Sequence, residues 1–265
     1  MDLLSYELGK KAGGGSSGGL DWSALGYSEQ PEFIEQGYNE ALELKQNWDN
    51  TQTNMNQKYK DQITMLFFPV VDLSNVTSCS NMFLNCYNLK QADVSFNNVT
   101  SILGLFDSCY TLSKVKLSTT NKTTNMQSAF NNCFNLKYLD FTDLDSSNVT
   151  DVNSMFTNCS NLESVPSFNT SKVTNMQTMF NACKKLKNIP LFNTTKVTNM
   201  VLAFLNCSSL TDNDLNTIMQ MCINATSYTN TKTLSNIGLT QAQATRCQSL
   251  SNYQALLDAG WTTGF

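Results

Sequence analysis

The residues of this sequence that could do chemistry are its nine cysteines and a few acidic side chains, because the chain has no histidine. Six cysteines share one position of a repeated pattern, each three residues before a leucine: Cys86, Cys109, Cys133, Cys159, Cys183 and Cys207. Zinc sites use closely paired cysteines or imidazole, and the chain has neither. We expect the six thiols to pack in a core, with disulfides between neighbouring repeats as the alternative.

The acidic residues offer a second possible site. Asp140, Asp143 and Asp145 lie on a loop that gives its repeat two extra residues. Calcium loops use such spacing, but the glycine and late glutamate of an EF-hand loop do not follow, so a calcium site stays an alternative. Without imidazole, the Ser-His-Asp and Cys-His couples are also excluded. We therefore expect no enzyme, no metal and no cofactor.

The composition limits the kinds of molecule that the protein is expected to bind. The 265 residues include 17 Lys+Arg and 21 Asp+Glu, which gives a net charge of −4 without the cationic surface that nucleic-acid binding requires. No apolar run reaches the ~18 residues of a membrane helix, so we expect no membrane insertion. Asp2 and Glu7 stand where an export signal would be basic and apolar, and such a signal is not expected either.

The elements that position these residues are internal repeats. The pattern Val-Thr-x5-Phe-x2-Cys-x2-Leu occurs six times with a period of 23–26 residues, Thr123 replacing the valine once. After each leucine comes an alternating segment typical of a strand, and then an Asn/Thr/Ser turn. Val173, Met176, Phe180 and Cys183 recur at intervals of three and four, which predicts a helical turn. Stacked units of this kind predict a solenoid.

The repeat resembles the leucine-rich repeats of BspA-like surface proteins. Residues 168–186 carry the resemblance most fully, as Phe-Asn-Thr-Ser-Lys-Val-Thr-Asn-Met-Gln-Thr-Met-Phe-Asn-Ala-Cys-Lys-Lys-Leu. The resemblance implies an α/β fold, a leucine-rich-repeat solenoid of six to seven repeats over residues 66–210. It also implies adhesion and surface recognition rather than catalysis.

One side chain of each predicted strand should point outward and form a row across the sheet. The row reads Pro69, Asp93, Lys116, Asp140, Pro166 and Pro190, and Tyr138 lies on the same strand as Asp140. Asp93, Lys116, Tyr138 and Asp140 are therefore the candidate ligand surface. The alternative is that charges on neighbouring strands only stabilise the sheet.

The two ends of the chain differ from the repeats. Residues 1–11 form a short apolar peptide that could dock on a virion protein, with a frayed terminus as the alternative. Residues 12–27 form a Gly/Ser-rich linker. The anchoring side chains of the peptide would be Leu3, Leu4, Tyr6 and Leu8. Residues 28–65 predict a long helix, and residues 211–265 predict a helical cap on the repeats.

The long helix favours oligomerisation. Ile34, Ala41 and Trp48 recur every seven residues, as in a coiled-coil seam, although later seam positions are polar. We expect a homo-oligomer, specifically a trimer. The alternative is a single amphipathic helix that covers the first repeat.

Two functional hypotheses follow from this order of segments. The first is a bacteriophage virion fibre or appendage subunit, assembled in the host cytoplasm, anchored by its N-terminus and binding a host cell-surface glycan or protein through the repeats. Residues 3–15, 247–253 and 259–261 are similar to structural proteins of phages of gut bacteria. The second is a bacterial BspA-like cell-surface adhesin. Both are non-enzymatic.

Overall fold

The computed structural model describes the backbone of residues 65–67 and all atoms of residues 76–265. The predicted docking peptide with Leu3, Leu4, Tyr6 and Leu8, the linker and, except for Met65, the predicted long helix lie outside the described residues.

Four short parallel strands form one sheet in the order β1-β2-β3-β4. Their bounds are β1 Met65–Phe67, β2 Gln91–Phe96, β3 Lys114–Thr119 and β4 Tyr138–Asp140. Successive residues of a strand face opposite sides, and β2 buries Ala92, Val94 and Phe96 while its other residues face outward. Each strand comes from the next repeat along the chain, so the order of the sheet is the order of the repeats.

The described sheet is shorter than the six or seven strands that the sequence predicts. The segments around Pro166 and Pro190, which follow β4 along the chain, form no strand. Proline has no N–H to donate to a strand ladder, and this accounts for the loss. Near these prolines, side-chain hydroxyl groups accept backbone N–H groups of the next repeat. The Asn169 N–H donates to Ser146 Oγ at 2.8 Å, and the Asn193 N–H donates to Thr170 Oγ1 at 2.8 Å.

The predicted helical turn of each repeat is wrong. The segment is instead a run of tight turns in which alternate N–H groups bond to the next repeat. The Phe106 N–H donates to Ala129 O at 2.8 Å, while the intervening Asp107 N–H donates to Gly104 O of its own repeat at 3.1 Å. An α-helix would direct every N–H four residues back along its own segment. Left-handed residues four positions apart prevent this, for example Ser154 (φ 55°) and Asn158 (φ 63°).

Stacking these turns builds a column of phenylalanines through the core. The rings are buried and lie 5.4–5.7 Å from one repeat to the next. The column consists of Phe83, Phe106, Phe130, Phe156, Phe180 and Phe204. Stacked aromatic pairs add about 0.5–1.5 kcal/mol each beyond the area that they bury. The core therefore runs through all six repeats.

The C-terminal region contains three helices, α1 Asp212–Asn224, α2 Gln241–Cys247 and α3 Tyr253–Asp258. The sequence predicts that the chain leaves the repeat pattern after residue 210, but the loop between α1 and α2 continues the hydrogen-bond pattern of the repeats. The Leu202 N–H donates to Asn236 O at 2.8 Å and the Phe204 N–H donates to Ile237 O at 2.9 Å. This loop therefore occupies the position of a further repeat, and it closes the end of the stack.

The first two helices are tied to the stack by the side chains that cap them. Asp214 accepts the Thr211 N–H in a capping box and also accepts the Ile189 N–H, each at 2.9 Å. Gln243 accepts the Thr240 N–H at 2.9 Å and donates to Cys207 O at 2.8 Å. Each helix start is thus fixed to a repeat by one buried polar side chain.

The residues with a left-handed backbone conformation allow a test of the turn geometry. Ala182 has φ 61° at a position where most other repeats have asparagine, which tolerates this conformation better than alanine. We predict that Ala182→Asn raises the free energy of unfolding by about 0.5–1 kcal/mol, measured by urea denaturation. The matched change Asn206→Ala should lower it by a similar amount. Loss of stability in Ala182→Asn would contradict this account of the turn.

Candidate functional site

The outward row of the sheet is aligned in register. Asp93 on β2 lies beside Lys116 on β3, and Lys116 lies beside Asp140 on β4. On the other side of Asp93 the register places Phe67 of β1, where the sequence predicted Pro69. Pro69 itself lies outside the described residues. The three charges therefore form a line of alternating sign across three strands.

Tyr138 and a lysine extend the row. Tyr138 lies beside Lys114 on the neighbouring strand, and it is 66% exposed. Lys116 also forms an ion pair with Asp143 from the loop after β4, with Nζ 3.6 Å from Oδ2. The structure thus brings the four predicted residues to one face and adds Asp143, which the sequence suggested only as a calcium ligand.

Hydrogen bonds and neighbouring charges favour the ionised form of Asp140 in this row. Hydrogen bonds from Thr142, its side chain first and its backbone next, lower the pKa of Asp140, and the charges of Lys116 and Lys114 lower it further. A partner would therefore meet the ionised carboxylate of Asp140 beside two lysine side chains. Such a surface suits polar ligands rather than apolar ones.

The three acids of the loop are not arranged as a calcium site. Asp140 accepts the Thr142 N–H at 2.9 Å, Asp145 accepts the Ser147 N–H at 3.0 Å, and Asp143 pairs with Lys116. Across the described part of the chain, no group of three or more histidine, cysteine or acidic side chains is placed to hold a metal ion. The calcium alternative therefore gains no support here.

Pro166 and Pro190 fall where the row would continue, but no strand aligns them with Asp140. An ion pair of Lys187 Nζ with Glu163 Oε2 at 3.2 Å is one of the polar contacts that join these two repeats. The candidate surface therefore ends at β4.

A second exposed row was missed by the sequence analysis. Tyr87, Tyr110 and Phe134 stack on one another from repeat to repeat, with ring centroids 5.0 Å and 5.2 Å apart. We call this the aromatic ladder. The sequence signal was available, because each ring directly follows the cysteine of its repeat.

All nine cysteines lie within residues 76–265, and all are buried and free. The disulfide alternative is therefore wrong in this structure. From the second repeat on, the thiol of each repeat donates to the phenylalanine carbonyl of the repeat before it, as Cys159 Sγ does to Phe130 O at 3.1 Å. Burial raises the pKa of Cys133, Cys159 and Cys183 well above the usual 9.0. The buried thiols are structural groups rather than nucleophiles.

A family profile matches the repeats and parts of the regions before and after them. The family described as "Mycoplasma protein of unknown function, DUF285" matches residues 53–137 and 124–237, which together cover more than half of the chain. The chain belongs to the DUF285 family. The match supports the resemblance of this DUF285 protein to BspA-like repeat proteins.

A solved structure is also similar to this DUF285 protein. It is a leucine rich cell surface protein from Faecalibacterium prausnitzii A2-165, with 20% identity and a TM-score of 0.39. The match covers 62% of this chain and 51% of that chain, so it spans about half of the other protein's length. Comparison with curated proteins found no match. No helix in residues 76–265 is both long enough and apolar enough to cross a bilayer.

Thiol reactivity tests the buried positions of the cysteines. Burial raises the pKa of Cys79 and Cys207 to about 12, so thiolate is scarce at pH 8 and access is blocked as well. We predict that iodoacetamide at pH 8 leaves all nine cysteines of the native protein unmodified and alkylates all nine in guanidinium, as measured by mass spectrometry. Rapid labelling of Cys133 or Cys159 in the native protein would contradict the buried thiol contacts.

Proposed function

We propose that this DUF285 protein is a non-enzymatic recognition protein whose stacked repeats, a leucine-rich-repeat solenoid, attach to a cell surface. One observation carries the proposal: Asp93, Lys116 and Asp140 lie in register on three strands and face outward with Tyr138. The interior of the repeats is filled, so the outward rows are the surface that the fold offers to a partner. Repeat stacks commonly use such extended faces for binding.

The side chains of the repeats favour binding over catalysis. The chain has no histidine, and the described thiols are buried with hydrogen-bonded or desolvated sulfur atoms. The acids of the β4 loop are engaged in turns and an ion pair. A general base would need a free group with a pKa near the working pH beside a nucleophile, and this surface offers no such pair within residues 76–265.

The more specific form of the proposal is a phage virion fibre or appendage subunit, docked by residues 1–11 and trimerised by residues 28–65. The order of the sequence segments supports it: apolar peptide, Gly/Ser-rich spacer, heptad-patterned segment and recognition module. A bacterial cell-surface adhesin is the alternative. Both forms use the same outward face of the repeats, and they differ in what the N-terminal region does.

Attachment is tested with the full chain, fluorescently labelled and mixed with a panel of bacterial cells in flow cytometry. We predict saturable binding to some strains. The triple change Asp93→Asn, Lys116→Met and Asp140→Asn should weaken this binding by about tenfold, because the charge pattern that orients the partner is lost. The matched control Glu163→Gln with Lys187→Met removes an exposed ion pair elsewhere and should leave binding unchanged. No binding to any strain would contradict the proposal.

The oligomer is tested by light scattering on the full chain. We predict a mass three times that of the 29.5 kDa chain. Charges at two heptad positions, Ile34→Lys and Trp48→Lys, should reduce the mass to that of one chain because a coiled-coil seam excludes buried charge. A wild-type mass of one chain would contradict the trimer and favour the covering helix.

A further inference from the structure

The aromatic ladder is an unusual use of large apolar side chains in this protein. Tyr87, Tyr110 and Phe134 are 38–40% exposed, although the repeats bury nearly all their other large apolar residues. The rings lie at the corner between the turn segment and the strand, one in each of three consecutive repeats. Since they stack along the direction in which repeats are added, they present a regular line of ring edges to solvent.

The fold does not require aromatic residues at this corner. The same position, directly after the repeat cysteine, holds Ser160, Lys184 and Ser208 in the next three repeats. Those repeats keep the same phenylalanine column and the same thiol contact, for example Cys207 Sγ to Phe180 O at 3.0 Å. The rings are therefore a property of the first three repeats and not of the stacking itself.

The residue that directly follows each ring of the ladder is polar and uncharged. The residue after each ring is Asn88, Thr111 or Asn135, and the amide of Asn161 donates to Asn135 Oδ1 at 3.1 Å. Tyrosine adds a hydroxyl to an apolar ring, which suits partners that mix apolar and hydroxyl surface. Sugars have this mixture, because each ring carries C–H patches beside hydroxyl groups.

We propose that the aromatic ladder binds a glycan chain, whose successive sugar units contact the exposed edges of successive rings while the tyrosine hydroxyl groups bond to the sugar hydroxyls. The proposal rests on the proposed function and names the chemistry of the surface that is recognised. One ring per repeat matches a partner that is itself a repeating polymer.

Two other classes of partner fit less well. Single-stranded nucleic acid also stacks on aromatic rings, but it needs a cationic groove, and the chain carries 17 Lys+Arg against 21 Asp+Glu. A protein partner needs about 800 Å² of surface per side with an apolar centre. Of the other exposed large side chains, Tyr138 lies on β4, and Leu191, Leu257 and Phe265 lie further along the chain. The three stacked rings therefore form a narrow stripe.

The test uses the full chain on a microarray of bacterial wall polysaccharides and mammalian glycans, followed by calorimetry on the strongest binder. The variant Tyr87→Ser, Tyr110→Ser, Phe134→Ser gives the first three repeats the serine found in the fourth and sixth, so it should fold. We expect its Kd for the glycan to rise by at least about tenfold. Thermal unfolding checks the fold, and Leu191→Ser is the control, with an unchanged Kd.

The outcomes separate this inference from the proposed function. Failure to bind any glycan, or equal affinity of the wild type and the triple serine variant, overturns the glycan inference. Binding to treated cells shows whether the protein recognises a glycan on the cell surface. Periodate treatment of the cells should abolish binding, and protease treatment should not. Loss of binding after protease alone would overturn the inference while leaving attachment to a cell surface intact.

Discussion

The structure depends on the hydrogen bonds that alternate residues of one turn segment make to the next. In the first repeat the Asn81, Phe83 and Asn85 N–H groups donate to Leu103 O, Leu105 O and Asp107 O at 2.7–2.9 Å. The residues between them close tight turns within their own repeat. Half of the amides thus hold the shape of a repeat and half join it to its neighbour. A repeat formed alone would leave the second half without partners, so the stack stabilises each of its members.

The repeat cysteine follows from the same geometry. The Phe130 carbonyl accepts the Cys133 N–H at 3.2 Å and also the thiol of Cys159 in the next repeat at 3.1 Å. A buried carbonyl has two lone pairs, and the second would lack a partner beside an aliphatic residue. Cysteine supplies a donor without the desolvation cost of a hydroxyl, and it is small enough to fit beside the stacked rings. This explains why the position is filled by cysteine and not by valine or alanine.

The positions of the core were predictable from the sequence, because burial imposes a periodicity that survives in any local conformation. Phe156, Cys159 and Leu162 are buried as their spacing predicts. The backbone conformation was less predictable: intervals of three and four place side chains on one side of a tight-turn run as well as of a helical turn. The deciding residues were Ser154 and Asn158, whose left-handed conformation has only a weak sequence signature. The sequence does contain Pro166 and Pro190, and their missing N–H groups favour a sheet with fewer strands than the repeats alone predict.

The part of the candidate site that lies on the strands was predictable from the alternation of buried and exposed residues. The part at the corners between turn segment and strand was not. Asp93, Lys116 and Asp140 alternate with buried residues, so their common face was readable, whereas the aromatic ladder lies where no period applies. The two surfaces share one physical property. The inward positions are fixed by packing and the turn positions by backbone conformation, which leaves the outward strand residue and the residue after the cysteine as the places where repeats differ freely. Tyr110 and Ser160 occupy equivalent corners of repeats with the same core, so a change between them alters what the surface binds without altering what holds it together.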